Sequence, residues 1–206
     1  MSEHLLEVDD LYVEFRTRDG VAKAINGVSY TLDAGETLAV LGESGSGKSV
    51  TAQTIMGILD MPPGFITGGA IRYKGEDLLQ MPEEKRRKIR GAEIAMIFQD
   101  SLSALNPVFT VGDQIAEMYQ VHRGMSKKDG MKRAVELMEQ VRIPAAKERV
   151  KDYPHQFSGG MRQRIMIAMA ISLDPAVLIA DEPTTALDVT VQAQIMELLQ
   201  DLQRER

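Results

Sequence analysis

Apolar and polar residues alternate from Leu6 to Tyr30, a period of two that predicts antiparallel strands. Arg18-Asp19-Gly20 and Asn26-Gly27 supply the turn chemistry between them. Gly68-Gly69-Ala70-Ile71-Arg72-Tyr73-Lys74-Gly75 predicts a further short hairpin element. Two other stretches are apolar without alternation. Thr37-Leu38-Ala39-Val40-Leu41 and Val177-Leu178-Ile179-Ala180 each fit a strand buried on both faces of a parallel sheet. The remaining pattern is helical. Ile55, Met56, Ile58 and Leu59 lie in a run from Val50 to Leu59 with few breakers. Between Gln99 and Phe157, Val111, Ile115, Met118 and Tyr119 share one helical face. Ser126 with Asp129 forms a capping box for a helix carrying Ala134, Val135, Leu137, Met138 and Val141. Pro144 and Pro154 punctuate the return to an apolar run, Ile165 to Leu173. A last helix begins near Val191 and carries Ile195, Leu198, Leu199 and Leu202.

Composition sets the limits. With 206 residues, 44 % of them hydrophobic, the chain can bury a full core as one domain with room for a subdomain. Most of the thirteen methionines fall at core-facing positions and read as packing residues. The absence of cysteine excludes disulfides and thiolate metal sites. Met1-Ser2-Glu3-His4 opens without a basic segment or an apolar stretch, so no secretory signal is expected. Ile165 to Leu173 is too short for a membrane span. The net charge of −6 argues against a nucleic-acid surface. Lys85-Arg86-Arg87-Lys88, with Arg90 nearby, is the contrary feature; beside Glu83 and Glu84 it reads as a solvated helix face.

The candidate chemistry begins at Gly42-Glu43-Ser44-Gly45-Ser46-Gly47-Lys48-Ser49, which matches GxxxxGK(S/T) at every fixed position. It lies between a predicted strand and a predicted helix, the context in which such a loop wraps backbone N–H groups around phosphates at a helix N-terminus. Lys48 would reach the β- and γ-phosphates, and the Ser49 hydroxyl would ligate Mg²⁺. A second strand, Val177 to Ala180, ends in Asp181-Glu182. Acids at the carboxyl end of a parallel strand lie where ligands bind in open α/β sheets. Asp181 would hold Mg²⁺ through water, and Glu182 would polarise the water that attacks the γ-phosphate. A third element, Phe157-Ser158-Gly159-Gly160-Met161-Arg162-Gln163-Arg164, opens a helix. Ser158 is placed to cap it, and the glycines permit close approach to an anion. Two such helix ends so far apart suggest that this one serves an ATP held by a second subunit.

With these residues in view the chain resembles the ATP-binding-cassette ATPases, whose signature usually reads LSGGQ. The resemblance runs from Leu6 to the last residue, short connecting segments excepted. It implies an α/β fold: a P-loop NTPase core with a RecA-like parallel sheet, an N-terminal antiparallel β-subdomain and an inserted helical subdomain. The core and antiparallel part would occupy 1–98 and 165–206, and the helical, signature-bearing part 99–164. It implies that Gln99 is the Q-loop glutamine, a hinge residue that contacts Mg²⁺ and takes part in catalysis with Glu182. Phe15 would stack on adenine, with Tyr12 as a weaker candidate. Gly42, Glu43, Ser44, Gly45, Ser46, Gly47, Lys48, Ser49 and Val50 would hold the phosphates, and Ser158, Gly159 and Gly160 the partner's nucleotide. Thr185-Ala186-Leu187-Asp188 corresponds to the D-loop. Met161 departs from the signature's glutamine. His155 reads as a structural histidine.

The wording GESGSGKSV, IFQDSLSALNP, YPHQFSGGMRQR and DEPTTALDVTVQAQIM is similar to ATPase subunits of bacterial oligopeptide and dipeptide importers, and is shared with nickel and glutathione importers. The implied partners are a second cassette, head to tail, transmembrane permease subunits and, indirectly, an extracytoplasmic solute-binding protein. The implied location is the cytoplasmic face of the inner membrane. A soluble cassette acting on ribosomes or DNA, or a module that only dimerises with nucleotide, would share the same motifs. The family's next strand and switch histidine would follow Arg206. The chain is therefore expected to be a fragment that binds ATP and hydrolyses it poorly.

Overall fold

The alternating segment forms a four-stranded antiparallel sheet in the order β2-β1-β3-β4. Its strands are β1 (Leu6–Thr17), β2 (Gly20–Leu32), β3 (Gly64–Tyr73) and β4 (Glu76–Asp77). The structure is a computed structural model that describes residues 4–205 apart from Ala186, and of Leu102 the backbone alone. It divides into two units, Met1–Arg90 and Gly91–Arg206.

In the first unit the buried positions of β1 are Leu6, Val8, Leu11 and Val13, so the alternation slips by one residue at Asp9-Asp10. A slip would turn the rest of the strand inside out unless one extra residue were absorbed. The sheet absorbs it there: β1 shifts register against both neighbours, and Asp10 takes a φ of 45°. Gly27 and Gly69, with φ of 80° and 89°, lie opposite the same irregularity. Asn26-Gly27 is thus a bulge inside β2 and no turn, whereas the expected turn at 18–20 joins β1 to β2. Lys74 and Gly75, both at positive φ, turn β3 into β4.

The expected strand at 37–41 forms no ladder among the described residues. Central strands need hydrogen-bonding neighbours, and these residues do not join the antiparallel sheet of their unit. Leu38 and Val40 are 40 % and 50 % exposed and Leu41 is 92 % exposed, so the run is not buried as its composition predicts.

Helix α1 (Lys48–Met56) stops at Gly57, whose φ of 65° is the left-handed geometry of a helix end. Its last turn contains no basic residue. The neighbouring α2 (Glu83–Ile89) and the residue after it supply the positive charge. Arg90 donates to the carbonyls of Met56 and Gly57 at 2.9 and 3.0 Å, and Arg86 to that of Thr54 at 3.2 Å. Burial lowers the pKa of Arg86, an effect partly opposed by Glu83. Two members of the basic run are therefore occupied in capping carbonyls, while Lys85 pairs with Glu76.

The second unit is built on a parallel pair, β5 (Ile94–Ile97) and β6 (Val177–Ala180). Around it lie α3 (Ser101–Ala104), α4 (Val111–Arg123), α5 (Lys127–Gln140), α6 (Ala146–Arg149), α7 (Gly159–Ile171) and α8 (Val189–Glu205). All four residues of β5 are buried. On β6 only Val177 is buried, and Leu178 is 37 % exposed, because no described strand covers its second edge. The helical spacings hold: Val111, Ile115 and Tyr119 of α4, Leu137 and Met138 of α5, and Ile195, Leu198 and Leu202 of α8 enter one core. Met96, Met138 and Met166 are buried in this unit, and Met118, Met125, Met131, Met161 and Met169 pack against its core. Ser126 caps α5 as expected, and Thr110 caps α4 in the same way. Each hydroxyl also donates to the acid three residues on, Asp129 at 2.7 Å and Asp113 at 2.8 Å. Hydrogen bonds from Lys127 first, then Thr110, hold the Asp113 carboxyl below its usual range.

Replacing Arg90 with Ala removes its hydrogen bonds to the end of α1 and should cost about 1–2 kcal/mol. A urea unfolding curve of the full chain checks this through the shift in midpoint at unchanged slope.

Candidate functional site

In the first unit the phosphate-loop candidate closes on itself. Lys48 donates from Nζ to the carbonyls of Gly42 and Glu43, at 2.8 and 3.0 Å, drawing its ammonium back across the loop. Ser46 closes a turn by donating its backbone N–H to Glu43 at 3.1 Å. Gly47 stands before α1 with a φ of 93°, and a Cβ there would meet the Ala24 carbonyl oxygen at 2.4 Å. Both facts demand glycine. A glycine also gives the helix start no side-chain cap, which leaves the approach to its first turn clear of a competing side-chain acceptor. Ser49 and Val50 lie in that first turn. The loop's glycines thus fit the cradle that a phosphate requires. Phe15 lies farther away in sequence on β1, half-buried and paired with Ala22 and Gly64; Tyr12 lies on the same strand.

In the second unit the acids occupy the carboxyl end of the parallel pair. Ile97 lies beside Ala180 in the ladder, and Asp181 extends it by donating its N–H to the Ile97 carbonyl at 3.0 Å. Two residues past Ile97, Gln99 donates from Nε2 to Glu182 Oε2 at 3.0 Å. Thr185 donates its hydroxyl to the same carboxylate oxygen at 3.2 Å. Glu182 holds a φ of 45°, a left-handed conformation costly for a residue with a side chain and characteristic of functional sites. Gln99 and Glu182 therefore meet beyond the carboxyl end of the parallel pair, and Asp181 continues the ladder beside them in sequence. Thr185 was missed; only its place three residues after Glu182 hinted at it.

The signature segment is positioned from both sides. Arg149 stacks over the Phe157 ring at 4.1 Å, donates to the Gln156 carbonyl at 3.0 Å, and touches Met161 Sδ at 3.3 Å. Met161, the departure from the usual glutamine, thus packs beneath a guanidinium. Ser158 caps α7, accepting from the Met161 N–H at 3.4 Å. Gly160 lies against α8: a Cβ there would meet Val191 Cγ1 at 2.7 Å. Asp188 in turn caps α8 by accepting from the Val191 N–H at 3.0 Å. The signature glycine and the D-loop aspartate therefore converge on one valine. Of the expected D-loop, Ala186 lies outside the described residues. His155 stacks on Tyr153, with ring centroids 5.9 Å apart.

Two buried polar residues on α7 also escaped notice. Arg164 donates to the Val141 carbonyl and to Gln194 Oε1, each at 3.1 Å, tying the end of α5 to α8. Burial lowers its pKa, as does nearby Arg142. Gln163 is only 2 % exposed. Their signal was two polar residues directly abutting the apolar run that starts at Ile165.

Changing Gly160 to Ala should destabilise the chain by about 1–3 kcal/mol through overpacking. A thermal melt checks this, and adding Val191→Ala should return much of the loss.

Three similarities bear on this geometry. A family profile described as ABC transporter matches residues 25–185. The oligopeptide transport ATP-binding protein OppD of Bacillus subtilis (strain 168) is 56 % identical over 201 residues, which are 98 % of this chain and 56 % of that protein. The dipeptide transport ATP-binding protein DppD of the same organism is 54 % identical over 203 residues, covering 98 % and 61 %. The chain thus spans about three-fifths of these relatives' length. Among solved structures, the ATP-binding cassette MJ0796, a dimer in a post-hydrolysis state bound to ADP and Pi, matches with a TM-score of 0.84 at 27 % identity, over 97 % of this chain and 83 % of that one. The fold is that of a P-loop NTPase cassette, and the chain belongs to the ABC transporter family.

Proposed function

We propose that this chain is the ATP-binding and ATP-hydrolysing part of an importer that takes up di- and oligopeptides. The observation that carries the reading is the closed loop 42–49, with Lys48 folded over the Gly42 and Glu43 carbonyls at the start of α1. Such a lysine exchanges carbonyl partners for phosphate oxygens when a nucleotide enters, so the loop is built around an anion. The peptide cargo is supported by the names of the oligopeptide and dipeptide relatives.

Residue roles follow from chemistry. Gly42 to Val50 hold the phosphates through backbone N–H groups and Lys48, and Phe15 stacks on the base. Among the described residues no group of three or more His, Cys, Asp or Glu is placed to hold a metal ion by itself. That suits Mg²⁺, which takes one or two protein oxygens alongside phosphate and water. Ser49 and Gln99 would supply those oxygens, and Asp181 would hold the ion through water. Mg²⁺, when bound, neutralises charge on the phosphates. Glu182 accepts a hydrogen bond from the attacking water once Gln99 has turned from it to the nucleotide. Ser158, Gly159 and Gly160 present α7's N-terminus to the nucleotide of a second cassette, so two ATP hold two chains head to tail. Residues 99–164 act as the helical subdomain that passes the closure to permease subunits. Among the described residues no helix is long and apolar enough to cross a membrane. The chain then works against permease partners at the cytoplasmic face of the inner membrane, with a solute-binding protein on the other side.

Calorimetry with Mg-ATP tests the binding half: saturable binding to the native chain and none to Lys48→Ala. Glu182→Gln should retain ATP binding, lose turnover by about a hundredfold or more, and strengthen the ATP-dependent dimer. Phosphate release with mass measurement checks this, and surviving turnover would remove Glu182 from its role.

A further inference from the structure

Gln163 has no role in the reading above, yet it carries an anomalous polar atom. Its side chain is 2 % exposed, and its Nε2 has no hydrogen-bond partner among the described residues. A buried unpaired amide costs stability, so its retention needs a reason. The residue lines a cleft of about 110 Å³. Gln99, Asp100, Ser101, Pro183 and Leu187 line it as well. Arg162 lines the same cleft. Its Nη1 donates to the Phe157 carbonyl at 3.0 Å, while its Nε is also buried without a partner. Gln163 and Arg162, on the first turns of α7, thus line the same cleft as a segment rich in acceptors: the Gln99 carboxamide oxygen, the Asp100 carboxylate, the Ser101 hydroxyl and the backbone carbonyls of all three.

The present arrangement also shows what must move. Gln99 gives its amide N–H to Glu182. If Gln99 is to serve the nucleotide, as proposed above, that bond must break and the 99–101 segment must shift. We propose that Gln163 is a positioning residue whose buried amide, with Arg162 Nε beside it, donates to the shifted 99–101 segment, holding Gln99 away from Glu182 and toward the nucleotide. The inference rests on the ATPase reading of this site. The unpaired amide then destabilises the resting state relative to the active one. A donor satisfied in only one of two states biases the equilibrium toward that state. It also joins the signature helix to the catalytic carboxylate within one unit, because Gly160 and Gln163 lie on the same turn of α7.

Three full-length chains test this: native, Gln163→Leu and Gln163→Glu. Thermal melts are taken without nucleotide, and steady-state ATP hydrolysis is measured between pH 5.5 and 8. Gln163→Leu removes the unpaired amide at nearly constant shape. It should melt no lower than native, keep KM within about twofold, and lose about five- to tenfold in kcat, the scale of one hydrogen bond. Gln163→Glu has no donor when ionised but regains one when protonated, so its kcat relative to native should rise as pH falls. A purely structural glutamine gives no such profile. A lower melting temperature for Gln163→Leu would show that the amide is already partnered at rest, and native kcat in that variant would show that no donor is needed; either overturns the inference. A native chain that neither binds nor hydrolyses ATP overturns the ATPase reading itself, and this inference with it.

Discussion

The arrangement of the candidate site in the second unit depends on one short piece of backbone pairing, the parallel register that sets Ile97 beside Ala180. Parallel strands share a carboxyl end, so whatever follows one emerges beside whatever follows the other. Asp181 extends the ladder by one bond to Ile97. Gln99 and Glu182 each lie two residues beyond the paired positions, and their side chains meet at 3.0 Å. A slip of one residue would break that equivalence and reverse the face of every side chain on β6. All four residues of β5 are buried, and Ala95 and Ile97 anchor the strand in the helical core.

Beyond the ladder, the chain holds its polar groups in costly positions and braces them. Glu182 takes a left-handed backbone conformation, and Thr185 and Gln99 both donate to its carboxylate. Gly160 is pressed against Val191, whose N–H is held by Asp188. Arg164 is buried on the same helix and spans from the end of α5 to α8. The bracing is directional: α7 receives the signature at its first turn, the core at its apolar faces and α8 across its small residues. A displacement of α7 therefore cannot leave the D-loop helix in place, because interiors packed this closely transmit strain.

Much of this was legible in the sequence wherever one physical rule acted locally. The phosphate loop, the acids after an apolar strand, the capped helices and the hairpin at 18–20 each depend on residues within a few positions of one another. The failures are non-local. Asn26-Gly27 has turn chemistry, but its glycine is needed opposite a bulge in β1, a demand set by Asp9-Asp10 on another strand. Thr37 to Leu41 has the composition of a buried strand, yet burial depends on neighbours, and no described strand pairs with it. Arg86 and Arg90 read as solvated charge because nothing in their own segment announces that α1 ends without a basic residue. The two α7 polar residues were hidden for the opposite reason, since the apolar run that follows drew attention to packing.

The Gln99–Glu182 bond bears on how such a site avoids idle turnover. A carboxylate that accepts from both an amide and a hydroxyl has less capacity to accept from a water molecule. The same oxygen, Oε2, receives both donors, so one carboxylate oxygen is engaged while the geometry persists. One donor, Gln99, belongs to the segment that opens the helical stretch; the other, Thr185, lies three residues past the acid. Under the proposed ATPase reading, freeing the carboxylate requires Gln99 and Thr185 to change partners, whereas closing the phosphate loop around a nucleotide requires Lys48 to do so. Under that reading binding and hydrolysis are separated by which residues must move, and the β5–β6 ladder brings together only the hydrolytic set.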